Sequence, residues 1–238
     1  ASITKLMSAL AAMEIINRFK VVTISQDSSG EIGDSAGFLK GETFEAENLL
    51  YPLLLASSNE VAKLFEKESY GLINAMNQKA QAVGLRHTSF KDASGISSEN
   101  VSNTEDLFKL LQFLNTNKKP IFTITGLKEY TLASLNKIKK HVWTNVNWTF
   151  ADDRFIGGKA GKTAQAGETM AGVFNVHFPE FETRPIAIII LHSEDRVRDV
   201  DHIIQYLNQN FLYGATSLAK KENKNPSVIR EGANIYEA

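Results

Sequence analysis

The chain has 238 residues, a net charge of −1 at pH 7 and no cysteine. The balanced charge lacks the basic footprint of nucleic-acid-binding proteins, and the missing cysteine excludes disulfides, thiol catalysis and thiolate metal sites. The longest clean apolar run, at 186–191, is too short to span a bilayer and predicts a buried strand. The length suits one sizeable core, with a second domain allowed on length alone.

The hydrophobic pattern predicts helices first and strands later. We expect a helix from the Ser2 region to about residue 17, and glycines at 30–41 indicate a polar loop or hairpin. Further helices are predicted at 46–56, 58–68, 70–83 and 104–115, strands at 127–134, 154–160, 170–178 and 185–192, and a closing helix at 195–211. This is an α+β layout, with a helical subdomain and an antiparallel sheet. We expect a folded domain over 1–213 and a polar tail or linker over 214–238.

The five histidines of the chain show no metal-ligand spacing and are expected to be ordinary surface or strand residues. They are His87, His141, His177, His192 and His202. The sequence therefore predicts neither a metal nor a cofactor.

Ser2 and Lys5 open the first predicted helix and lie three residues apart, so they share one face of it. A serine hydroxyl is a poor nucleophile without a base, and a lysine amine at this spacing supplies one without a histidine. Ser-x-x-Lys is the nucleophile motif of penicillin-binding proteins and class A β-lactamases. The pattern also occurs at 134–137 and 217–220, so spacing alone does not identify the nucleophile.

Two later motifs favour the Ser2 match by their order and distance. Residues 57–59 give a Ser-x-Asn, and residues 159–161 stand where a Lys-Thr-Gly is expected. Ser-x-Asn also occurs at 98–100 and 134–136, but only the set that starts at Ser2 leaves room for a folded domain between its motifs. A purely structural interpretation of Ser57 and Asn59 is that they form a helix cap between two helices.

Four longer segments extend the match to most of 1–213. Residues 1–7 resemble an "ASxTKLM" opening, 41–59 resemble "GE.F…LLY.LLL.S.N", 84–107 resemble "GM..T.F..P.GL…N.STA.DL", and 156–167 resemble "GGKTGYT..AG". Arg196 falls where the same family has an arginine before its closing helix. The chain thus resembles the serine-type D-alanyl-D-alanine carboxypeptidases, which are low-molecular-mass penicillin-binding proteins. The resemblance implies a β-lactamase/transpeptidase-like fold.

The resemblance also implies an acyl-enzyme mechanism without metal or cofactor. Ser2 would attack the D-Ala-D-Ala peptide bond of a peptidoglycan stem peptide, and Lys5 would take its proton as a neutral amine, a form that burial and a nearby cation favour. Ser57 would relay a proton to the leaving amine, and Asn59 would hold Lys5 and the substrate amide. The backbone N–H groups of Ser2 and Lys162 would form the oxyanion hole.

The substrate's terminal carboxylate would be bound beside the Lys-Thr-Gly strand, chiefly by the charge of Lys159. The positions implied in substrate binding are Lys159, Ala160, Gly161, Lys162, Thr163 and Arg196.

The chain departs from the family pattern in two places. Ala160 replaces the threonine of Lys-Thr-Gly and so removes a hydroxyl that would bond the substrate carboxylate. Relatives also carry strands before Ser-x-x-Lys, whereas the given sequence opens on the motif, and we expect no signal peptide in it. We therefore expect a sheet that lacks the amino-terminal strands, with an unpaired edge beside the first helix.

Three functions follow from this reading. The first is a DD-carboxypeptidase, or a DD-endopeptidase that acts on peptidoglycan cross-links, bound covalently by β-lactams and located outside the cytoplasmic membrane. A β-lactamase is disfavoured because no Glu-x-x-Leu-Asn occurs between Asn59 and Lys159. A non-catalytic peptidoglycan-binding relative is the third, suggested by Ala160 and the missing strands. No nucleic-acid partner and no transmembrane segment are expected.

Overall fold

A computed structural model of the chain describes residues 1–25, 36–148, 152–178, 183–213 and 227–229. Its helices are Thr4–Ile15 (α1), Leu50–Leu54 (α2), Asn59–Glu68 (α3), Leu72–Val83 (α4), Thr104–Asn117 (α5), Lys119–Gly126 (α6) and Arg196–Asn210 (α7), with a 3-10 helix at Ala46–Leu49. Its strands are Val21–Thr23 (β1), Thr43–Glu45 (β2), Glu129–Ala133 (β3), Lys140–Thr144 (β4), Phe155–Thr163 (β5), Gly167–His177 (β6), Thr183–Ser193 (β7), Phe211–Tyr213 (β8) and Ser227–Ile229 (β9).

The main sheet is an antiparallel meander in the order β5-β6-β7. The shorter strands form two antiparallel pairs, β1 with β2 and β3 with β4, and one parallel pair, β8 with β9. Within the described ranges β5 and β7 are the edge strands of this sheet, since each hydrogen-bonds β6 only. The predicted α+β architecture is confirmed.

Two apolar cores position the site. The larger core surrounds α1, whose Leu6, Met7 and Leu10 are fully buried among the other helices of the first half. The smaller core lies between the main sheet and α7, where Phe174 packs with Val200. Because α1 is central, its first turn is held rigidly against the neighbouring elements.

The main disagreements with the predicted elements lie where buried side chains depend on distant partners. Strand β4 was not predicted. Its inward residues are His141, whose Nε2 lies 2.9 Å from the Glu42 carboxylate, and Trp143, whose Nε1 donates to the Ala36 carbonyl at 2.9 Å. Helix α6 and strands β1 and β2 were also missed.

Among the described residues, no helix is both long enough and apolar enough to cross a membrane. The same residues contain no group of three histidine or acidic side chains arranged to hold a metal ion. Residues 30–35 of the predicted loop or hairpin, and most of the predicted tail, at 214–226 and 230–238, lie outside the described residues.

Candidate active site

The first turn of α1 brings Ser2 and Lys5 together. Ser2 lies in the turn that precedes the helix, and its carbonyl accepts from the Lys5 N–H at 3.1 Å. This local geometry stacks the two side chains, and Lys5 Nζ lies 2.9 Å from Ser2 Oγ. Lys5 is fully buried, whereas Ser2 is only partly buried and faces a cleft. The amine is therefore within proton-transfer distance of an accessible hydroxyl.

Two further oxygen atoms hold the Lys5 amine from other parts of the chain. Nζ donates to Asn59 Oδ1 at 2.7 Å and to the Ser94 carbonyl at 2.7 Å. These contacts fix the position of the amine beside Ser2 Oγ.

The segment between α2 and α3 places Ser57 and Asn59 at the same cleft. Asn59 is the first residue of α3, and the cap of that helix is Ser58, whose Oγ accepts from the Val61 N–H at 3.2 Å. The interpretation of Ser57 and Asn59 as the cap is therefore wrong. Ser57 is buried and has a φ of 60°, a left-handed conformation that costs a non-glycine residue about 1–2 kcal/mol. Such strain is typical of functional positions.

A loop at 92–100 closes one wall of the cleft over Ser2. Asn100 Nδ2 donates to Asp92 Oδ1 at 2.6 Å and to Thr4 Oγ1 at 3.2 Å, which ties the loop to α1. Gly95, with a φ of 86°, comes so close that a Cβ there would lie 2.1 Å from the Ala1 carbonyl oxygen. This close approach aligns the Ser94 carbonyl with Lys5.

Strand β5 forms the opposite wall and passes directly beside Ser2. A Cβ at Gly161 would lie 2.6 Å from the Ser2 backbone nitrogen, so only glycine permits this contact. Lys159, two residues earlier on the same face of β5, is 1% exposed. Its Nζ donates to Asn147 Oδ1 at 2.6 Å and to the Ala160 carbonyl at 2.8 Å.

The backbone of β5 presents N–H groups toward the cleft side of the strand. The Gly158 N–H donates to Thr125 Oγ1 at 3.0 Å and the Ala160 N–H to Asn147 Oδ1 at 3.2 Å, both away from β6. Successive N–H groups of a strand alternate in direction. The Lys162 N–H therefore points to the same side, next to Ser2.

Glu168 on β6 forms ion pairs with two cationic side chains of the cleft. Its carboxylate lies 3.0 Å from Lys162 Nζ and 3.1 Å from Arg196 NH1, and it accepts from the Arg196 backbone N–H at 3.2 Å. The Lys162 hydrogen bond, opposed by partial burial and assisted by Arg196, holds the pKa of Glu168 below its ordinary value. Arg196 is the first residue of α7 and reaches the cleft from that helix.

These elements enclose a cleft of 410 Å³. It is lined by Ser2, Ser57, Asn59, Gly95, Ile96, Val146, Lys159, Ala160, Gly161, Lys162, Thr163 and Arg196. Of the residues implied by the resemblance, only Lys5 is not part of this lining, because it lies buried behind Ser2. The structure thus brings every one of them to a single site.

The sequence interpretation missed Asn147, Glu168 and the apolar rim formed by Ile96 and Val146. Ile96 and Val146 are about half exposed at the cleft mouth. Nothing in the sequence distinguishes Asn147 from the neighbouring Asn145, and Glu168 is one of many surface-type glutamates. Their partners come from other elements, so no local spacing signals them.

Comparison with known proteins places these features in a family. The sequence profile of the D-alanyl-D-alanine carboxypeptidase family matches residues 1–175. The chain is 30% identical over 241 residues to the D-alanyl-D-alanine carboxypeptidase DacF of Bacillus subtilis, covering 97% of this chain and 60% of that protein. It is 27% identical over 199 residues to a D-alanyl-D-alanine endopeptidase of Haemophilus influenzae (81% and 67%) and 29% over 210 residues to that of Escherichia coli (81% and 63%). The chain therefore spans roughly two thirds of the length of these relatives.

Solved structures share the fold. The Streptomyces K15 DD-transpeptidase superposes with a TM-score of 0.73 at 24% identity, covering 87% of this chain and 86% of that one. A D-alanyl-D-alanine carboxypeptidase from Mycobacterium tuberculosis gives a TM-score of 0.66 at 24% identity, covering 80% and 73%. At this identity the likeness establishes the architecture alone.

We predict that Glu168→Gln destabilises the protein at neutral pH and much less in acid. A carboxylate whose pKa is lowered by folding stabilises the folded state above its unfolded pKa, and that contribution disappears as pH falls through the folded value. Thermal unfolding of both proteins at pH 7 and at about pH 3 measures the effect. The exposed Glu99→Gln is the control. A loss of stability that is equal at both pH values would contradict this role for the ion pairs.

We also predict that Ser57→Gly is more stable than Ser57→Ala by about 1 kcal/mol, since both lose the hydroxyl and only glycine adopts a φ of 60° without strain. The control pair is Ser8→Gly and Ser8→Ala within α1, where alanine is expected to be the more stable by a similar amount. Urea unfolding of the four variants decides it. If alanine were the more stable substitution at both positions, Ser57 would be unstrained.

Proposed function

We propose that this chain, which belongs to the D-alanyl-D-alanine carboxypeptidase family, is a serine peptidase that cleaves the D-Ala-D-Ala end of peptidoglycan stem peptides. The observation that carries the proposal is the 2.9 Å contact between Lys5 Nζ and Ser2 Oγ at the base of the cleft. A buried amine against a partly buried hydroxyl is the arrangement needed to activate serine without histidine.

In the proposed reaction, Ser2 Oγ attacks the carbonyl carbon of the penultimate D-alanine as Lys5 accepts the hydroxyl proton. The tetrahedral intermediate collapses with cleavage of the C–N bond, and the leaving amine takes a proton by way of Ser57. This releases terminal D-alanine and leaves an ester on Ser2. Water then hydrolyses the ester, with Lys5 as the base, and restores the free hydroxyl.

The backbone N–H groups of Ser2 and Lys162 would stabilise the oxyanion of each tetrahedral intermediate. Two observations support this assignment: Gly161 allows β5 to approach the Ser2 nitrogen closely, and the alternation along β5 directs the Lys162 N–H toward the cleft. Fixed backbone donors in a partly dehydrated cleft are effective because they need no reorganisation as charge develops.

The substrate carboxylate would lie beside Lys159, with Thr163 and Arg196 near it. The cleft lining contains Lys159, Lys162 and Arg196. Lys162 and Arg196 also pair with Glu168, so we expect Lys159 to make the main contact with the anionic group. Asn59 would contact the substrate amide while its Oδ1 holds Lys5. β-Lactams, which carry both a reactive amide and a carboxylate, would acylate Ser2 in the same way.

A DD-endopeptidase activity on peptidoglycan cross-links is the second candidate, because relatives from Haemophilus influenzae and Escherichia coli bear that name. The same residues would act, with the leaving amine belonging to a second stem peptide. Either substrate places the protein's action outside the cytoplasmic membrane. Chromatography of purified monomeric pentapeptide and cross-linked muropeptides after incubation with the protein separates the two activities.

We expect Ser2→Ala to abolish covalent labelling by penicillin, and Lys5→Ala to reduce it severely, because the hydroxyl then keeps its proton. Intact mass spectrometry before and after incubation with penicillin measures the adduct, and release of D-alanine from a D-Ala-D-Ala peptide measures turnover. The matched control is Ser98→Ala, an exposed serine that also begins a Ser-x-Asn, which should label normally. An adduct of unchanged yield on the Ser2→Ala protein would refute the assignment. An unlabelled wild type would instead favour a non-catalytic peptidoglycan-binding relative.

Ala160→Thr is expected to accelerate acylation about ten- to a hundredfold, because it restores one hydrogen bond to the ligand carboxylate, worth roughly 1.5–3 kcal/mol. Ala160 is 5% exposed and belongs both to the cleft lining and to the smaller apolar core, so the larger side chain is also expected to lower stability.

Ala160→Val is the control, since valine has nearly the shape of threonine without the hydroxyl. Acylation rates with one penicillin are compared for the three proteins. Equal rates for the threonine and valine variants would mean that the hydroxyl contributes nothing and that alanine is a tolerated variation.

A further inference from the structure

The position of the Lys159 ammonium in the cleft wall depends on its acceptors. Lysine has a flexible four-carbon side chain, so its charge is directed only where hydrogen bonds hold it. The shortest of those given by the structure, at 2.6 Å, runs from Nζ to Oδ1 of Asn147. Asn147 stands in the segment after β4, outside the Ser-x-x-Lys, Ser-x-Asn and Lys-x-Gly motifs.

The Asn147 carboxamide is itself fixed in orientation. The side chain is fully buried, and its Nδ2 donates to the Leu54 carbonyl at 2.8 Å. Its Oδ1 accepts from the Ala160 N–H at 3.2 Å as well as from Lys159. A carbonyl on one side and two donors on the other leave a single assignment of the amide oxygen and nitrogen.

This carboxamide also joins the two walls of the cleft. Leu54 ends α2, three residues before Ser57, while Lys159 and Ala160 belong to β5. The neighbouring backbone reinforces the connection, since the Val146 N–H donates to the Leu55 carbonyl at 3.0 Å. Asn147 thus sets the position of Lys159 relative to the segment that carries Ser57.

The chemical type of the acceptor matters for anion binding. A carboxylate at this position would hold the ammonium equally well but would neutralise it. A neutral amide holds the ammonium and leaves its charge available to a ligand. The two acceptors that the structure gives for the Lys159 amine, the Asn147 amide and the Ala160 carbonyl, are both uncharged.

We propose that Asn147 is a positioning residue that orients Lys159 for the terminal carboxylate of the substrate, and so determines the preference of the site for ligands with a free carboxylate. The inference rests on the proposed function, in which Lys159 binds that carboxylate.

The test compares acylation by a penicillin with acylation by its methyl ester, which keeps the β-lactam ring and lacks the carboxylate. The quantity measured is the ratio of the two second-order acylation rates, followed by intact mass. Asn147→Ala should lower this ratio about tenfold or more, because one charge-assisted hydrogen bond no longer orients the cation. In a Lys159→Ala background the same change should leave the ratio unaltered, because no ammonium remains to be oriented.

Asn77→Ala is the control, because Asn145 Oδ1 accepts from the Asn147 N–H and is not independent of it. Asn77 is partly buried and donates to the Ile73 and Phe90 carbonyls at 2.9 and 2.8 Å, and it makes no hydrogen bond to Asn147 or Lys159 among those the structure gives. It should cost stability and leave the ratio intact. If Asn147→Ala fails to fold, Asn147→Asp serves in its place and should lower the ratio, because the carboxylate neutralises Lys159.

Three results would overturn the inference: an equal loss with both probes, a ratio that still falls when Lys159 is already alanine, or an unchanged ratio in the aspartate variant. A wild type that neither probe acylates would overturn the proposed function together with it. If the wild type is acylated but substitution of Asn147 leaves the ratio of the two acylation rates unchanged, this inference alone is overturned.

Discussion

The buried amine of Lys5 is the constraint around which the site is built. A lysine amine removed from water costs several kcal/mol unless hydrogen-bond acceptors replace the lost solvent. Here the acceptors come from three separate places: the Ser2 hydroxyl, the Asn59 side chain and the Ser94 carbonyl. Satisfying this one group therefore requires α1, α3 and the loop at 92–100 to meet at a point. The same requirement leaves Ser2 beside a base and open to the cleft.

The opposite wall solves a related problem for Lys159. Its ammonium is also buried, and Asn147 and the Ala160 carbonyl hold it. Glycine at 161 lets β5 pass directly beside Ser2, so the strand that carries Lys159 contacts the first turn of α1, which carries Lys5. Ser57, in its left-handed conformation, follows α2 by three residues, and Asn147 holds the end of that helix through the Leu54 carbonyl. Rigidity on both sides is what makes a preorganised site of this kind effective.

What the sequence predicts well is what local geometry determines. The Ser2 and Lys5 contact follows from helical spacing, and the helices α1, α3, α4 and α5 and strands β5, β6 and β7 follow from hydrophobic periodicity. The order of three motifs, together with a family resemblance, was enough to name every cleft-lining residue except Gly95, Ile96 and Val146. The composition of the chain served only to exclude disulfides, thiol chemistry and the basic charge pattern of nucleic-acid-binding proteins.

What the sequence could not predict depends on tertiary contacts. Ser94 contributes a backbone carbonyl, which no side-chain pattern reveals, and Asn147 differs from Asn145 only in what it touches. Glu168 becomes a partner of Arg196 only because β6 and the start of α7 converge. Strand β4 was missed for the same reason, since its buried histidine is compatible with a core only beside Glu42.

The most direct test of the account is a crystal structure of the protein after reaction with a penicillin. We expect continuous density from Ser2 Oγ to the opened β-lactam, with the acyl oxygen between the N–H groups of Ser2 and Lys162 and the ligand carboxylate beside Lys159. An acyl group on a different serine, or a carboxylate directed away from Lys159, would contradict it.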